Sequence, residues 1–245
     1  MRTFLALLLS ASSLFSQARQ STLLLLGNTA PIAPTPDLAW WKCIENTGTS
    51  VNDDSTRGTN DLTLSSASMW ATTGGSVSIN GNGSSFYAQS SQTVDYQTNV
   101  ITIAFWFYDT AFSGTECYFE SGPDFNTSTR SPAIFSEPPW RFAQRNFASA
   151  YHRETNAYPS TSTWTHVLTV FDIATPNAKV FINGGADTSA VSTAGSSSSD
   201  LYESRVMNLL ARNGASLWSS AALRGIRLYT GDRSADVAAI YAAGD

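Results

Sequence analysis

The chain has 245 residues, of which 42% are hydrophobic and 13% charged, with a formal net charge of −5. That length fits one large β-domain with a short N-terminal extension, and the apolar fraction excludes global disorder. The charge is negative and no basic cluster appears, so nucleic-acid binding through phosphate neutralisation has no basis.

At the N-terminus, Arg2 supplies a positive start, Phe4 to Phe15 an apolar run, and Ser16-Gln17-Ala18 a small-x-small cleavage site. This pattern reads residues 1–18 as a secretory signal peptide, and the run is too short to serve as a transmembrane segment. The alternative is a retained N-terminal segment, with Leu23 to Leu26 pairing as an extra strand. Residues 19–37 read as an extension and linker, because Pro31, Pro34 and Pro36 hold the backbone extended. The globular domain then occupies 38–245.

Within it, turn residues recur between short apolar runs, the spacing of a sandwich. Strands are predicted at Leu38–Ile44, Ser76–Ile79, Ser85–Ala88, Ile101–Tyr108, Glu116–Ser121 and Arg141–Gln144. Further strands are predicted at Ala148–His152, Trp164–Phe171, Lys179–Ile182, Arg205–Leu210 and Leu223–Tyr229. Both alternating sets of Ile101–Tyr108 are apolar, which makes that strand central. Asn183-Gly184 suits a tight turn with positive φ at both residues, and Gly195 to Ser199 reads as a flexible loop. One helix closes the chain. Ser234 is placed to cap it, Asp236 suits its positive end, Gly244 suits its exit, and Val237, Ile240 and Tyr241 share a face. The expectation is an all-β, antiparallel β-sandwich with one short C-terminal helix and no second domain. Cys43 and Cys117 fit one disulfide of an oxidising compartment, or two buried reduced thiols, and match no zinc spacing.

Five segments occur in a meaningful order: Ala39-Trp40-Trp41-Lys42-Cys43-Ile44-Glu45, Asp54 to Asp61, Ile103-Ala104-Phe105-Trp106-Phe107, the Trp164 segment, and the terminal helix. In that order they resemble the laminin-G-like (LamG), concanavalin A-like jelly-roll domains, over roughly Leu38 to Gly244. The resemblance implies a jelly roll, a fold that carries lectins, adhesins, hydrolase appendages and virion parts alike. It places Trp41, Trp106 and Trp164 in the core and makes His166 structural. It also implies a calcium ion (Ca2+) at the loop after the first strand, where Asp53, Asp54, Asn60 and Asp61 offer hard oxygen ligands. The alternative for that loop is a turn whose Asp and Asn side chains bond to their own backbone. The acidic pair that the family commonly adds from the penultimate strand is replaced by Arg224-Gly225-Ile226-Arg227.

Candidate ligand-binding residues are Trp70, Trp140, Arg141, Tyr151, Tyr158 and Trp218, which lie in or beside loops. An aromatic ring there lies flat on a pyranose, or else covers the sandwich edge or a protein interface. Pro138-Pro139 hold Trp140 on a stiff approach suited to a platform, with Arg141 beside it as a forked donor. Catalysis has little support. A retaining glycosidase needs two carboxylates about 5–5.5 Å apart, and no strand carries alternating acids. Glu116 and Glu120 are the nearest pair, and Glu137 has no partner. Nucleophile elbows, zincin motifs and phosphate loops are missing from the sequence, whose histidines are His152 and His166. The expected function is a non-catalytic extracellular binding or adhesion module, secreted or at the cell surface, whose partner is a glycan or glycoprotein surface. The alternative is a virion structural protein that contacts neighbouring virion proteins.

Overall fold

The structure, a computed structural model, describes residues 31–110, 114–136, 140–147, 150–155, 161–193 and 197–244. The expected signal peptide or retained segment of residues 1–18, the Leu23 to Leu26 run, Glu137 and Tyr158 therefore lie outside the described residues. All the sheet structure falls in the unit Ala33–Asp245.

Two antiparallel sheets face each other. The seven-stranded sheet contains β1 (Ala39–Trp41), β4 (Trp70–Thr73), β5 (Ser76–Asn80), β7 (Val100–Tyr108), β12 (Thr165–Asp172), β13 (Asn177–Ile182) and β16 (Ala222–Thr230). Its order is β13-β12-β7-β16-β5-β4, with β1 also on β16. The nine-stranded sheet contains β2 (Ser50–Val51), β3 (Leu62–Leu64), β6 (Ala88–Ser90), β8 (Cys117–Ser121) and β9 (Ser131–Phe135). It is completed by β10 (Trp140–Arg145), β11 (Ala150–Thr155), β14 (Ser189–Thr193) and β15 (Met207–Leu209). Its order is β14-β11-β10-β9-β8-β15-β6-β3-β2.

The central position expected for Ile101–Tyr108 is found, since β7 lies between β12 and β16. The core between the sheets is aromatic and dry. Trp41, Phe107, Tyr118, Trp140, Phe142 and Phe171 are all fully buried. Phe107 meets Trp140 edge-on at 4.7 Å between ring centroids, and Tyr118 lies 4.9 Å from Trp140. Such geometries add to what area burial alone contributes.

Ser131–Phe135 carries Pro132 and was not expected as a strand. It is tolerated because the β8–β9 register ends at Ala133, so the missing N–H interrupts no ladder bond on that side. Ser234 does not cap the helix with its side chain. A 3₁₀ turn over Ser234–Asp236 leads into the C-terminal helix Val237–Ala243, whose Gly244 has φ +62° and donates its N–H to the Tyr241 carbonyl. The turn at Asn183 (φ +51°) and Gly184 (φ +72°) forms as expected. Both cysteines are buried thiols with no disulfide between them, Cys43 in the main core and Cys117 in a separate cluster on the far side of its sheet. Among the described residues, no helix is long and apolar enough to cross a membrane.

Candidate binding site on the nine-stranded sheet

Strand alternation sends one set of side chains into the core and the other outward. On the nine-stranded sheet the inward set includes Leu62, Leu64, Met207, Leu209, Phe119, Ile134 and Phe142. The outward set aligns across strands. Thr63 pairs with Gln89, Gln89 with Asn208, Asn208 with Glu120, Glu120 with Ala133, and Ala133 with Ala143. One row thus runs across six neighbouring strands and changes from polar to apolar halfway along.

The polar half is tightly bonded. Gln89 Nε2 donates to Asn208 Oδ1 at 2.6 Å, and Asn208 Nδ2 donates to the Gly122 carbonyl at 2.7 Å. Above these amides lies a cavity of about 400 Å³, walled by Thr93, Pro123, Ser204, Arg205 and Asn213. That volume lies within the range of small-ligand sites. Its lining is mostly uncharged amide and hydroxyl. The guanidinium of Arg205 is committed to Glu203. Gly122, with φ +94°, lets the wall approach closely, since a Cβ there would sit 2.8 Å from Arg205 Cδ and 2.9 Å from Ser128 Oγ. The loop bearing Asn213 also carries Gly214, where a Cβ would meet the Tyr87 ring at 2.7 Å, and Tyr87 lies 6.0 Å from Trp218. Both rings are half-buried. A tilted aromatic pair therefore stands beside the loop that walls the amide-floored cavity.

The apolar half of the row is covered. Cys117, Phe125, Ala133, Phe135 and Ala143 form a small second core with Leu217 against it. Between the halves sits Glu120, fully buried. Its Oε1 accepts from the Phe125 N–H at 2.6 Å and from Arg212 Nε at 3.1 Å. Burial pushes its carboxyl up to about 7, although the Phe125 N–H and Arg212 act in the opposite direction.

The sequence candidates separate sharply. Trp218 and Arg141 are both half-buried. Trp218 stands against Tyr87 near the cavity, and Arg141, register partner of the outward Phe135, lies on the same face farther along. Trp140 is corrected: it is fully buried among Phe107, Tyr118 and Phe142 and presents no platform. Trp70 belongs to the other sheet, packs partly against the main core and donates Nε1–H to the Gly48 carbonyl at 2.9 Å. Tyr151 lies on β11 in register with Gln144.

The acidic loop is organised by hydrogen bonds. Asp53 Oδ1 accepts from the N–H groups of Trp40 and Ser55, and its Oδ2 from those of Thr59 and Asn60. Asp61 Oδ1 accepts from the Asp53 N–H, Asn60 Nδ2 donates to the Leu38 carbonyl, and Asp54 pairs with Lys42 at 3.3 Å. Among the described residues, no group of three or more His, Cys, Asp or Glu side chains is arranged to hold a metal ion.

Gln89 and Asn208 went unread in the sequence. Their signal was present, since each is a lone amide between buried residues of a three-residue strand, and Asn is depleted in strands.

A family model described as the concanavalin A-like lectin/glucanases superfamily matches residues 80–238. No curated protein matches the sequence. Among solved structures, a botulinum neurotoxin serotype D binding domain superposes with a TM-score of 0.59 at 10% identity, covering 85% of this chain and 51% of that one. Domain 4 of an extracellular GH43 arabinanase from Geobacillus stearothermophilus, in complex with arabinotriose, gives 0.59 at 15% identity, covering 85% of this chain and 100% of the domain. A Trypanosoma rangeli sialidase in complex with the inhibitor DANA gives 0.60 at 14% identity, covering 96% of this chain and 38% of that one. The chain therefore spans about half of the toxin fragment and little more than a third of the sialidase. At these identities the likeness is one of fold.

Proposed function

Since the chain belongs to the concanavalin A-like lectin/glucanase superfamily, we propose that it is a non-catalytic carbohydrate-binding module that takes a neutral, hydroxyl-rich glycan on the outer face of its nine-stranded sheet. The observation that carries this reading is the cross-strand pair Gln89–Asn208 on the floor of a cavity of about 400 Å³. Each amide has both donor and acceptor capacity, as vicinal sugar hydroxyls do. The fixed Gln89–Asn208 bond limits the side-chain entropy lost when a ligand is held. Tyr87 and Trp218 supply the apolar ring surface that a sugar face stacks on, and Asn213 and Ser204 the polar rim.

Binding without hydrolysis fits the row itself. Glu120 is its one carboxylate among Thr63, Gln89, Asn208, Ala133 and Ala143. Neither Glu120 nor the nearby Asp124, which share Arg212 as ion-pair partner, lines the cavity, whereas double-carboxylate hydrolysis needs two acids flanking the bound sugar. The arabinanase domain, whose structure holds arabinotriose, makes arabino-oligosaccharides the first probes, with sialylated glycans, prompted by the sialidase in complex with DANA, as the charged comparison. A secreted or surface-exposed setting, suggested by the apolar N-terminal run, suits such a partner. The test is a broad glycan array probed with the native protein and with Gln89→Ala. Retention on at least one neutral glycan, lost in Gln89→Ala at unchanged melting temperature, supports the reading. No retention by the native protein, or equal retention by both, refutes it.

A further inference from the structure

Besides Thr93 and the segment Ser204 to Val206, the cavity is walled by two loops that share no strand. One follows β8 and contributes Gly122 and Pro123; the other follows β15 and contributes Asn213. Beneath them lies one buried group that touches both. Glu120 Oε1 accepts the Phe125 N–H of the first loop at 2.6 Å and Arg212 Nε of the second at 3.1 Å. Arg212 reaches back to Asp124 Oδ1 of the first loop at 3.2 Å. Its guanidinium also lies 5.4 Å from the centre of the Phe135 ring. Glu120 Oε2 is buried with no partner. In register, Glu120 is next to Asn208 on the cavity floor. A carboxylate in that place is costly, because it is fully desolvated and only one of its oxygens is bonded.

We propose that Glu120, bridged through Arg212 to Asp124, is the positioning group of this cavity, and that its protonation state sets how firmly the two walls are held. The inference rests on reading the cavity as the binding site. The groups that face Glu120 are Arg212 and Asp124 from the two loops and Cys117 from its own strand. Its register partners Asn208 and Ala133 carry no titratable group.

The sign follows from linkage. A carboxyl held near 7 in the closed arrangement, but at its ordinary value of 4.5 once the loops open, binds its proton more tightly when closed. Acid therefore favours closure, and raising the pH through neutrality favours opening. When Glu120 is protonated, Arg212 still has Asp124 as its partner.

The experiment is amide hydrogen exchange of the full chain, without ligand, at pH 6 and pH 8, expressed as protection relative to intrinsic rates. In the native protein, protection over 122–128 and 211–217 should fall by about tenfold from pH 6 to pH 8, as the two pKa values require. The turn at Asn183 to Gly185 should not change. Glu120→Gln keeps an acceptor oxygen and removes the titration, so its loops should be equally protected at both pH values. Arg212→Gln removes the cation that holds the carboxyl down, so the midpoint of the change should move to higher pH, a readout that survives if Glu120→Gln folds poorly. Loop protection in the native protein that is unchanged between pH 6 and 8, or that falls equally in Glu120→Gln, overturns the proposal. Because no ligand is present, failure on a glycan array leaves this result intact, and the two readings fail separately.

Discussion

The two outer faces of the sandwich are built alike and finished differently. On the seven-stranded sheet, the outward Ala104, Leu168, Val170, Phe181 and Tyr229 are sealed by Val237 and Ile240 of the C-terminal helix. Beyond the helix, a bulge at Gly225 (φ +55°) shifts the β16 register and sets both Arg224 and Arg227 outward. Arg224 lies over Trp106 and Trp164, at 5.6 and 5.0 Å from their ring centres. Arg227 donates to the carbonyls of Ile240 and Gly244 at 3.0 and 2.8 Å and so ties down the end of the helix. The charges at the position where the family commonly carries acids are thus spent on closing this face. Among the described residues, the nine-stranded sheet has no such helix, and a small second core with Leu217 against it covers its apolar half. Among the described residues, what stays open is the cavity, with half-buried Gln89 and buried Asn208 on its floor. A face whose outward residues are apolar recruits a lid, and a face whose outward residues are amides bonded to one another does not need one.

The largest expected effect tests the core that both faces share. Trp140→Ala should destabilise by about 3–5 kcal/mol, the range for deleting a large buried aromatic, read from denaturant melts. An unchanged midpoint would return Trp140 to the surface. Next comes the seal. Ile240→Ala should cost about 2–3 kcal/mol, towards the low end for such truncations because a terminal helix collapses easily onto the gap. It should leave binding on the opposite face untouched, and loss of glycan retention at full folding would couple the two faces. Asp53→Ala, which strips four N–H groups of their acceptor, should cost about 2 kcal/mol. Native melts with calcium and with chelator should coincide, because the Asp53 oxygens already accept those N–H groups. A higher melting temperature with calcium, abolished in Asp54→Ala, would instead support a bound ion.

The smallest effect concerns pH, and each face holds one misplaced titrating group. His166, edge-on to Trp106 at 5.2 Å and to Tyr241 at 5.7 Å between ring centroids, is lowered to about 3 by burial and by Arg227. Its contribution is present above about 6.5 and is lost as the pH falls towards 3. Glu120, raised to about 7, contributes most below 4.5 and loses that contribution as the pH rises through 7. Between pH 4.5 and 6.5 the two oppose each other. Glu120→Gln should therefore lose stability on acidification more steeply than the native protein, as read from urea midpoints at the two ends of that window. Parallel profiles would remove Glu120 from the account.

Sequence legibility followed the physics of each part. The long strands were plain because Ile101 to Tyr108 and Trp164 to Phe171 are long runs rich in β-branched and aromatic residues that need no partner to be recognised. The three-residue strands Leu62–Leu64 and Ala88–Ser90 were missed or displaced, since so short a run has no period. Trp140 was misread because local context, two prolines before it, says nothing of which way the side chain turns. Its register partner Thr155 and the rings around it decide that. The cavity was illegible for a related reason. Gln89, Glu120 and Asn208 become neighbours only once β6, β8 and β15 are paired, and Gln89 and Asn208 are separated by 119 positions.

The central claim is that the cavity floored by Gln89 and Asn208 is the binding site, and one measurement tests it most directly. Native protein, Asn208→Ala and Arg224→Ala, each checked for folding, are titrated by calorimetry with the glycan that the native protein retains most strongly on the array. The account predicts that Asn208→Ala, costing about 1 kcal/mol in stability, weakens affinity by about tenfold or more, while Arg224→Ala on the sealed face binds as the native protein does. Native affinity in Asn208→Ala together with lost affinity in Arg224→Ala would contradict it and move the site to the other sheet.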